Sequence, residues 1–171
     1  MQKREEARIK IVNERWIIMA GVIGTNVVTQ VGFIVRDIEV TRKKFAEFFV
    51  VEPPPLVDGG KFEITGTVVN GKPAPEANCL MAFFDIGPNV RLELIQPNGV
   101  ESTWQDFLDK NGEGIHHLAF NIEGMDKMVL ACEDFGMKCV QRGKYGDGSG
   151  EYAYMDADSD LKCLIELLEN Y

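Results

Sequence analysis

The chain has 171 residues, 45% of them hydrophobic, enough for one compact unit or two small modules that share a core. Its net charge of -9 argues against a nucleic-acid binder, in which Lys and Arg would cluster to meet phosphate. Cys79, Cys132, Cys139 and Cys163 are scattered with no C-x-x-C pair, which reads as reduced thiols in a cytoplasmic protein.

Lys3, Arg4, Arg8, Lys10 and Arg15 precede an uncharged stretch over residues 16–35, the outline of a signal anchor. Gly21, Gly24, Thr25, Asn26, Thr29, Gln30 and Gly32 interrupt that stretch, and its second half has the composition of a strand. Residues 1–24 therefore read as a loosely attached extension, disordered or left over from cloning, ahead of one domain over 25–171. No membrane span is expected.

A β-branched run from Val27 predicts the first strand. Asp37 and Thr41 then offer caps, and Val40, Phe45, Phe48 and Phe49 recur at helical spacing, predicting a helix over 38–50 that the prolines at 53–55 stop. Strands are predicted over 61–69, 78–86 and 90–96, with a turn at Gly87-Pro88-Asn89 between the last two. A short helix over 102–110 ends at Asn111-Gly112. The second half repeats the order. A strand over 115–122 precedes a helix over 124–135, and strands follow over 137–142, 151–156 and 161–168. The organisation is β-α-β-β-β twice, in modules 27–97 and 114–169 joined by a linker over 98–113.

Four polar residues interrupt strands that are otherwise apolar. Gln30 and His117 lie in the first strand of each module; Glu93 and Glu166 lie in the last strand of each, both between leucine and isoleucine neighbours. Taken singly, a strand glutamate usually faces solvent and a strand histidine is usually a hydrogen-bonded core residue. In equivalent places of a repeat, they point to one shared divalent cation, because a buried carboxylate is costly unless paired or bound. Such N/O ligation suits Zn²⁺, Co²⁺, Ni²⁺, Mn²⁺ or Fe²⁺. The only two histidines are adjacent, and strict alternation puts Ile115, His117 and Ala119 on one face and His116, Leu118 and Phe120 on the other.

The stretches Leu92-Glu93-Leu94-Ile95-Gln96-Pro97, Gly114-Ile115-His116-His117-Leu118-Ala119-Phe120 and Ile165-Glu166-Leu167 resemble the vicinal oxygen chelate superfamily, also called the glyoxalase/bleomycin-resistance/dioxygenase group, and within it the methylmalonyl-CoA epimerases. The resemblance runs from about residue 27 to 169. It implies an α+β fold in which paired βαβββ modules form a cupped mixed sheet around one metal, with Gln30, Glu93, His117 and Glu166 as ligands and His116 facing away. It also implies a homodimer. One position departs from the epimerase pattern, because Gln30 stands where those enzymes usually carry histidine; zinc-type glyoxalase I enzymes use glutamine there. The strand over 78–83 also lacks the acidic residue that epimerases tend to carry; Glu76 and Glu63 are the nearest.

The implied chemistry is abstraction of a proton α to a carbonyl that the metal polarises. Glu166 is the first candidate for the base and Glu93 the second. The glycine-rich loop over 143–150 reads either as a hairpin turn or as a flap that contacts substrate through Tyr145 and Ser149. The expected activity is epimerisation of an acyl-CoA thioester. The competitors are a glyoxalase I-type lyase acting on a glutathione adduct, and a metal-free module that sequesters a small molecule. A ring-cleaving dioxygenase fits less well, since that branch uses two histidines and one glutamate.

Overall fold

A computed structural model describes residues 21–171. The basic residues and residues 16–20 of the uncharged stretch lie outside the described residues. The second half of that stretch enters the sheet as its central strand, and no described helix is long and apolar enough to cross a membrane.

The first half runs β1 (Gln30–Ile34), α1 (Ile38–Phe49), β2 (Val57–Asp58), α2 (Phe62–Thr65), β3 (Val68–Val69), β4 (Lys72–Pro73), β5 (Cys79–Asp85) and β6 (Arg91–Pro97). Helix α3 (Thr103–Asn111) links it to β7 (Gly114–Asn121), α4 (Met125–Asp134), β8 (Lys138–Lys144), β9 (Gly150–Asp156), α5 (Asp158–Leu161) and β10 (Leu164–Asn170). All described strands join one mixed sheet in the order β2-β5-β6-β1-β7-β10-β9-β8-β3-β4. Strands β1 and β7 meet antiparallel at its centre, and each pairs parallel with the last strand of its own module, β6 or β10. The two halves are thus related by a pseudo-twofold axis between β1 and β7, and the sheet curls into a cup.

Alternation assigns the two surfaces of the sheet. On the convex side, Leu92, Leu94, Phe84 and Ala82 pack under α1, and Ile165, Leu167, Ala153 and Met155 pack under α4. Phe45 and Phe49 of α1 lie 5.7–6.0 Å from the ring of Phe84. Each such side chain withdrawn from water contributes about 1.5–3 kcal/mol. On the concave side, α3 closes one end of the cup, where Trp104 and Leu108 pack with Ile34, Ile95, Tyr152 and Tyr154.

The caps repeat the symmetry of the sheet. Asp37 caps α1 by accepting from the Val40 amide at 2.9 Å, and Gln96 of β6 accepts from the Ile38 amide at 2.9 Å. In the second module, Glu169 of β10 accepts from the Gly124 and Met125 amides at 2.6 and 2.7 Å, at the start of α4. In each module, then, the last strand caps the first long helix.

Three expectations need correction. Residues 61–69 do not form a strand: Phe62–Thr65 is a single helical turn ended by Gly66 at φ 53°, and only Val68–Val69 is extended. That short strand does not stay in its own module but pairs with β8 of the other, at Val68↔Arg142 and Val69↔Gln141. The strand expected over 161–168 begins only at Leu164, after the short helix α5.

The third concerns the histidines. The register between β1 and β7 shifts at Gly32/Phe33, from Gly32↔His117 to Phe33↔Ile115, so His116 is an extra residue in the strand. A bulge breaks strict alternation. His116 therefore does not face away from the cup. It is buried against Phe107 of α3 and Tyr154, with ring centroids 5.3 and 5.2 Å away, whereas Ile115 is half exposed.

Candidate metal centre

Gln30, Glu93, His117 and Glu166 come together at the pseudo-twofold axis, from β1, β6, β7 and β10, each almost fully buried. Ligand atoms of Glu93, His117 and Glu166 lie within 4.8 Å of one another. His117 Nε2 stands 3.0 Å from Glu166 Oε2 and 3.3 Å from Glu93 Oε2. Neither His117 Nε2 nor Glu166 Oε2 makes an aligned hydrogen bond, although both are buried. Donor atoms that converge without pairing fit a cation between them, and one imidazole with two carboxylates is a donor set for a borderline divalent ion. Gln30 is placed differently from a ready ligand. Its amide nitrogen donates to Glu93 Oε2 at 2.7 Å, so in this conformation it fixes the carboxylate.

The electrostatics follow from the burial of like charges. Burial pushes the Glu93 carboxyl up, with Glu166 adding to the effect and His117 opposing it. Burial works against a proton on His117, but the charges and hydrogen-bonding reach of Glu166 and Glu93 prevail and raise it to about 10. Without a cation, a proton on the imidazole offsets the carboxylate charge.

Gly32 of β1 makes the imidazole's seat. A Cβ at this position would lie 1.9 Å from His117 Cε1, so the site depends on the missing side chain. A glycine inside an apolar strand is the sequence signal for such close approach. Trp104 and Tyr154 carry no such signal, because they lie in runs that look like ordinary core.

Gln30, Glu93 and Glu166 open onto a cavity of about 1260 Å³, with His117 fully buried beside them. On the first-module side, β5 presents Cys79, Met81 and Phe83, an apolar stretch that ends at Asp85, whose carboxylate lines the same cavity and pairs with Arg91 at 3.3 Å. On the other side stand Tyr145, Tyr152 and Tyr154, and Tyr154 lies opposite Glu166 in the β9–β10 register. Tyr145 and Ser149 line the same cavity. The glycine-rich loop is the β8–β9 hairpin turn, closed by Tyr145 N donating to Gly150 O at 2.9 Å. Ser149 is turned toward Asp147, to which its hydroxyl donates at 2.7 Å. Gly146 packs so closely on Gly59 and Gly60 that a Cβ on Gly60 would lie 2.4 Å from Gly146 Cα. The turn is therefore pinned to the opposite rim of the cup.

Comparison with known proteins agrees with this architecture. Residues 29–154 match the family model of the glyoxalase/bleomycin resistance protein/dioxygenase superfamily. An uncharacterised Bacillus subtilis (strain 168) protein, YqjC, is 32% identical over 90 residues, which is 52% of this chain and 64% of that protein; the chain thus spans less than two thirds of this curated relative. Among solved structures, methylmalonyl-CoA epimerase from Mycobacterium tuberculosis superposes with a TM-score of 0.61 at 18% identity, covering 96% of this chain and 95% of that one. The hypothetical protein BH1468 from Bacillus halodurans C-125 gives 0.60 at 21% identity, over 85% and 94% of the two chains. A Streptomyces coelicolor methylmalonyl-CoA epimerase variant in complex with 2-nitronate-propionyl-CoA gives 0.60 at 17% identity, over 84% and 96%. At such identities these likenesses establish the fold.

Proposed function

Because the chain belongs to the glyoxalase/bleomycin resistance protein/dioxygenase superfamily, we propose that it is a metal-dependent isomerase of the methylmalonyl-CoA epimerase type, which abstracts and returns a proton α to a carbonyl. The observation that carries this reading is the convergence of buried His117 Nε2 with the Glu93 and Glu166 carboxylates, which line one large cavity. A divalent ion held by these residues supplies a Lewis acid for the substrate carbonyl. Glu166, with Oε2 unpaired, takes the α proton and returns it. Glu93, held by Gln30, stays fixed on the other side of His117. Tyr145 and Ser149 contact the substrate from the hairpin turn, and the apolar β5 wall receives its acyl portion. Metal, substrate contacts and the acyl-CoA class of substrate all belong to this proposal, as does pairing into a homodimer.

A second reading is favoured by one specific observation. Gln30 occupies the first-strand position, where it reaches Glu93. That suits a glyoxalase I-type lyase acting on a glutathione adduct, in which the proton moves to an adjacent carbon.

Elemental analysis of the purified protein and of Glu166→Gln is the first test. About one divalent ion per chain, reduced or lost in the variant, is expected from a site built on so few donors. Incubation in D₂O with methylmalonyl-CoA, or with a glutathione hemithioacetal, then separates the two activities by where deuterium appears. A protein that takes up no ion from Zn²⁺, Co²⁺, Ni²⁺ or Mn²⁺ sinks both.

A further inference from the structure

The second histidine has no role in the reaction proposed above, yet it is as deeply buried as the first. His116 Nδ1 lies 3.0 Å from His117 Nδ1, with the two rings nearly perpendicular at 83°. At that distance one nitrogen carries the hydrogen and the other accepts it. His117 Nε2 is the atom that faces Glu93 and Glu166. If Nε2 is to present a lone pair there, the hydrogen of His117 has to sit on Nδ1.

We infer that His116 is a positioning residue, which accepts the Nδ1 hydrogen of His117 on its own bare Nδ1 and thereby fixes both the tautomer and the ring orientation that turn His117 Nε2 into the site. The assignment rests on the metal-binding reading of that site, and it follows from the bulge. Without the extra residue at the Gly32/Phe33 register shift, the two rings would lie on opposite faces of β7 and their Nδ1 atoms would not meet. His116 is itself clamped. Phe107 of α3 lies edge-on to its ring at 89° and Tyr154 packs at 5.2 Å, while its Nε2 is buried without an aligned hydrogen bond. A ligating histidine usually donates its second N–H to a carboxylate or a carbonyl. Here the acceptor is a neutral imidazole, which draws less charge toward the ligand and leaves a bound cation a stronger Lewis acid.

The test uses the fact that the chain holds only two histidines. Long-range ¹H–¹⁵N correlation on the full chain, with and without Zn²⁺, reads all four ring nitrogens, and His116→Asn assigns them. The expected result is His116 protonated on Nε2 and bare on Nδ1, with Nδ1 of zinc-loaded His117 protonated. In zinc titrations, His116→Phe keeps a ring of similar shape without an acceptor and is expected to bind about 10- to 100-fold more weakly. His116→Asn restores an acceptor oxygen and recovers most of that loss. A hydrogen on His116 Nδ1, or equal losses in the two variants, overturns the assignment. A chain that takes up no zinc while His116 Nδ1 is bare sinks the metal reading and leaves the acceptor assignment standing.

Discussion

A few atoms decide whether the cup can hold a cation. Gly32 is the most exposed to test, because its missing Cβ is the space that the His117 ring fills. Gly32→Ala is expected to displace the imidazole, cost about 1–3 kcal/mol of stability, and weaken zinc binding more than an alanine at Gly87, where nothing lies within 4 Å. Isothermal titration on the two variants checks the difference. Proton linkage gives a second test. His117 is raised from its ordinary 6.5 to about 10, so in the metal-free fold its stabilising effect is full below about 6.5 and is lost as pH rises through about 10. An imidazole that ligates a metal through Nε2 gives up that proton. Zinc uptake at pH 7 should therefore release about one proton, and affinity should rise about tenfold per pH unit toward pH 10. Calorimetry in buffers of different ionisation enthalpy measures the release; none at all would contradict the protonated imidazole.

Among the elements, the two outer helices matter because each is locked by the strand that carries a candidate ligand. Glu93 and Gln96 are three residues apart on β6, as Glu166 and Glu169 are on β10, and the second member of each pair caps a helix. Position along β6 or β10 is thus tied to the seating of α1 or α4. Glu169→Ala removes the acceptor of two amides and the negative charge at a helix N-terminus, and is expected to cost about 1–2 kcal/mol. Gln96→Ala removes one neutral bond and should cost about 0.5–1.5 kcal/mol. Urea unfolding of both variants tests the order, which reverses only if the caps are incidental.

For the molecule as a whole, the candidate ligands are divided evenly, Gln30 and Glu93 from one module, His117 and Glu166 from the other. A cation bound among them ties the halves together and stabilises only the folded chain. At a hundredfold excess over its Kd, zinc should add about 2.7 kcal/mol, or roughly 5–11 °C in melting temperature for a chain of this size; a melting curve that zinc does not move would refute this. The duplication and the four converging residues were legible because polar residues broke apolar strands at equivalent places. The bulge was not, since Ile115-His116-His117-Leu118 gives no local sign of a lost alternation; only the register against Gly32 does. Nor was the path of residues 61–73, of which 61–69 read as one strand. The chain instead spends Gly66 on a turn and makes two-residue strands whose pairing is set by tertiary contacts.

That path has a consequence for how the protein can come apart. By sending β3 across to β8, the first half is sewn to the second at a place far along the chain from the β1–β7 seam. A protease cut in the loop ahead of α3, near Val100, would leave two pieces still held by both seams and by the contact of Gly60 with Gly146. The nicked product should run as two bands on a denaturing gel but elute as one species at the intact size, and bind added zinc as the intact chain does. Pieces that drift apart would mean the stitch at Val68–Val69 bears no weight.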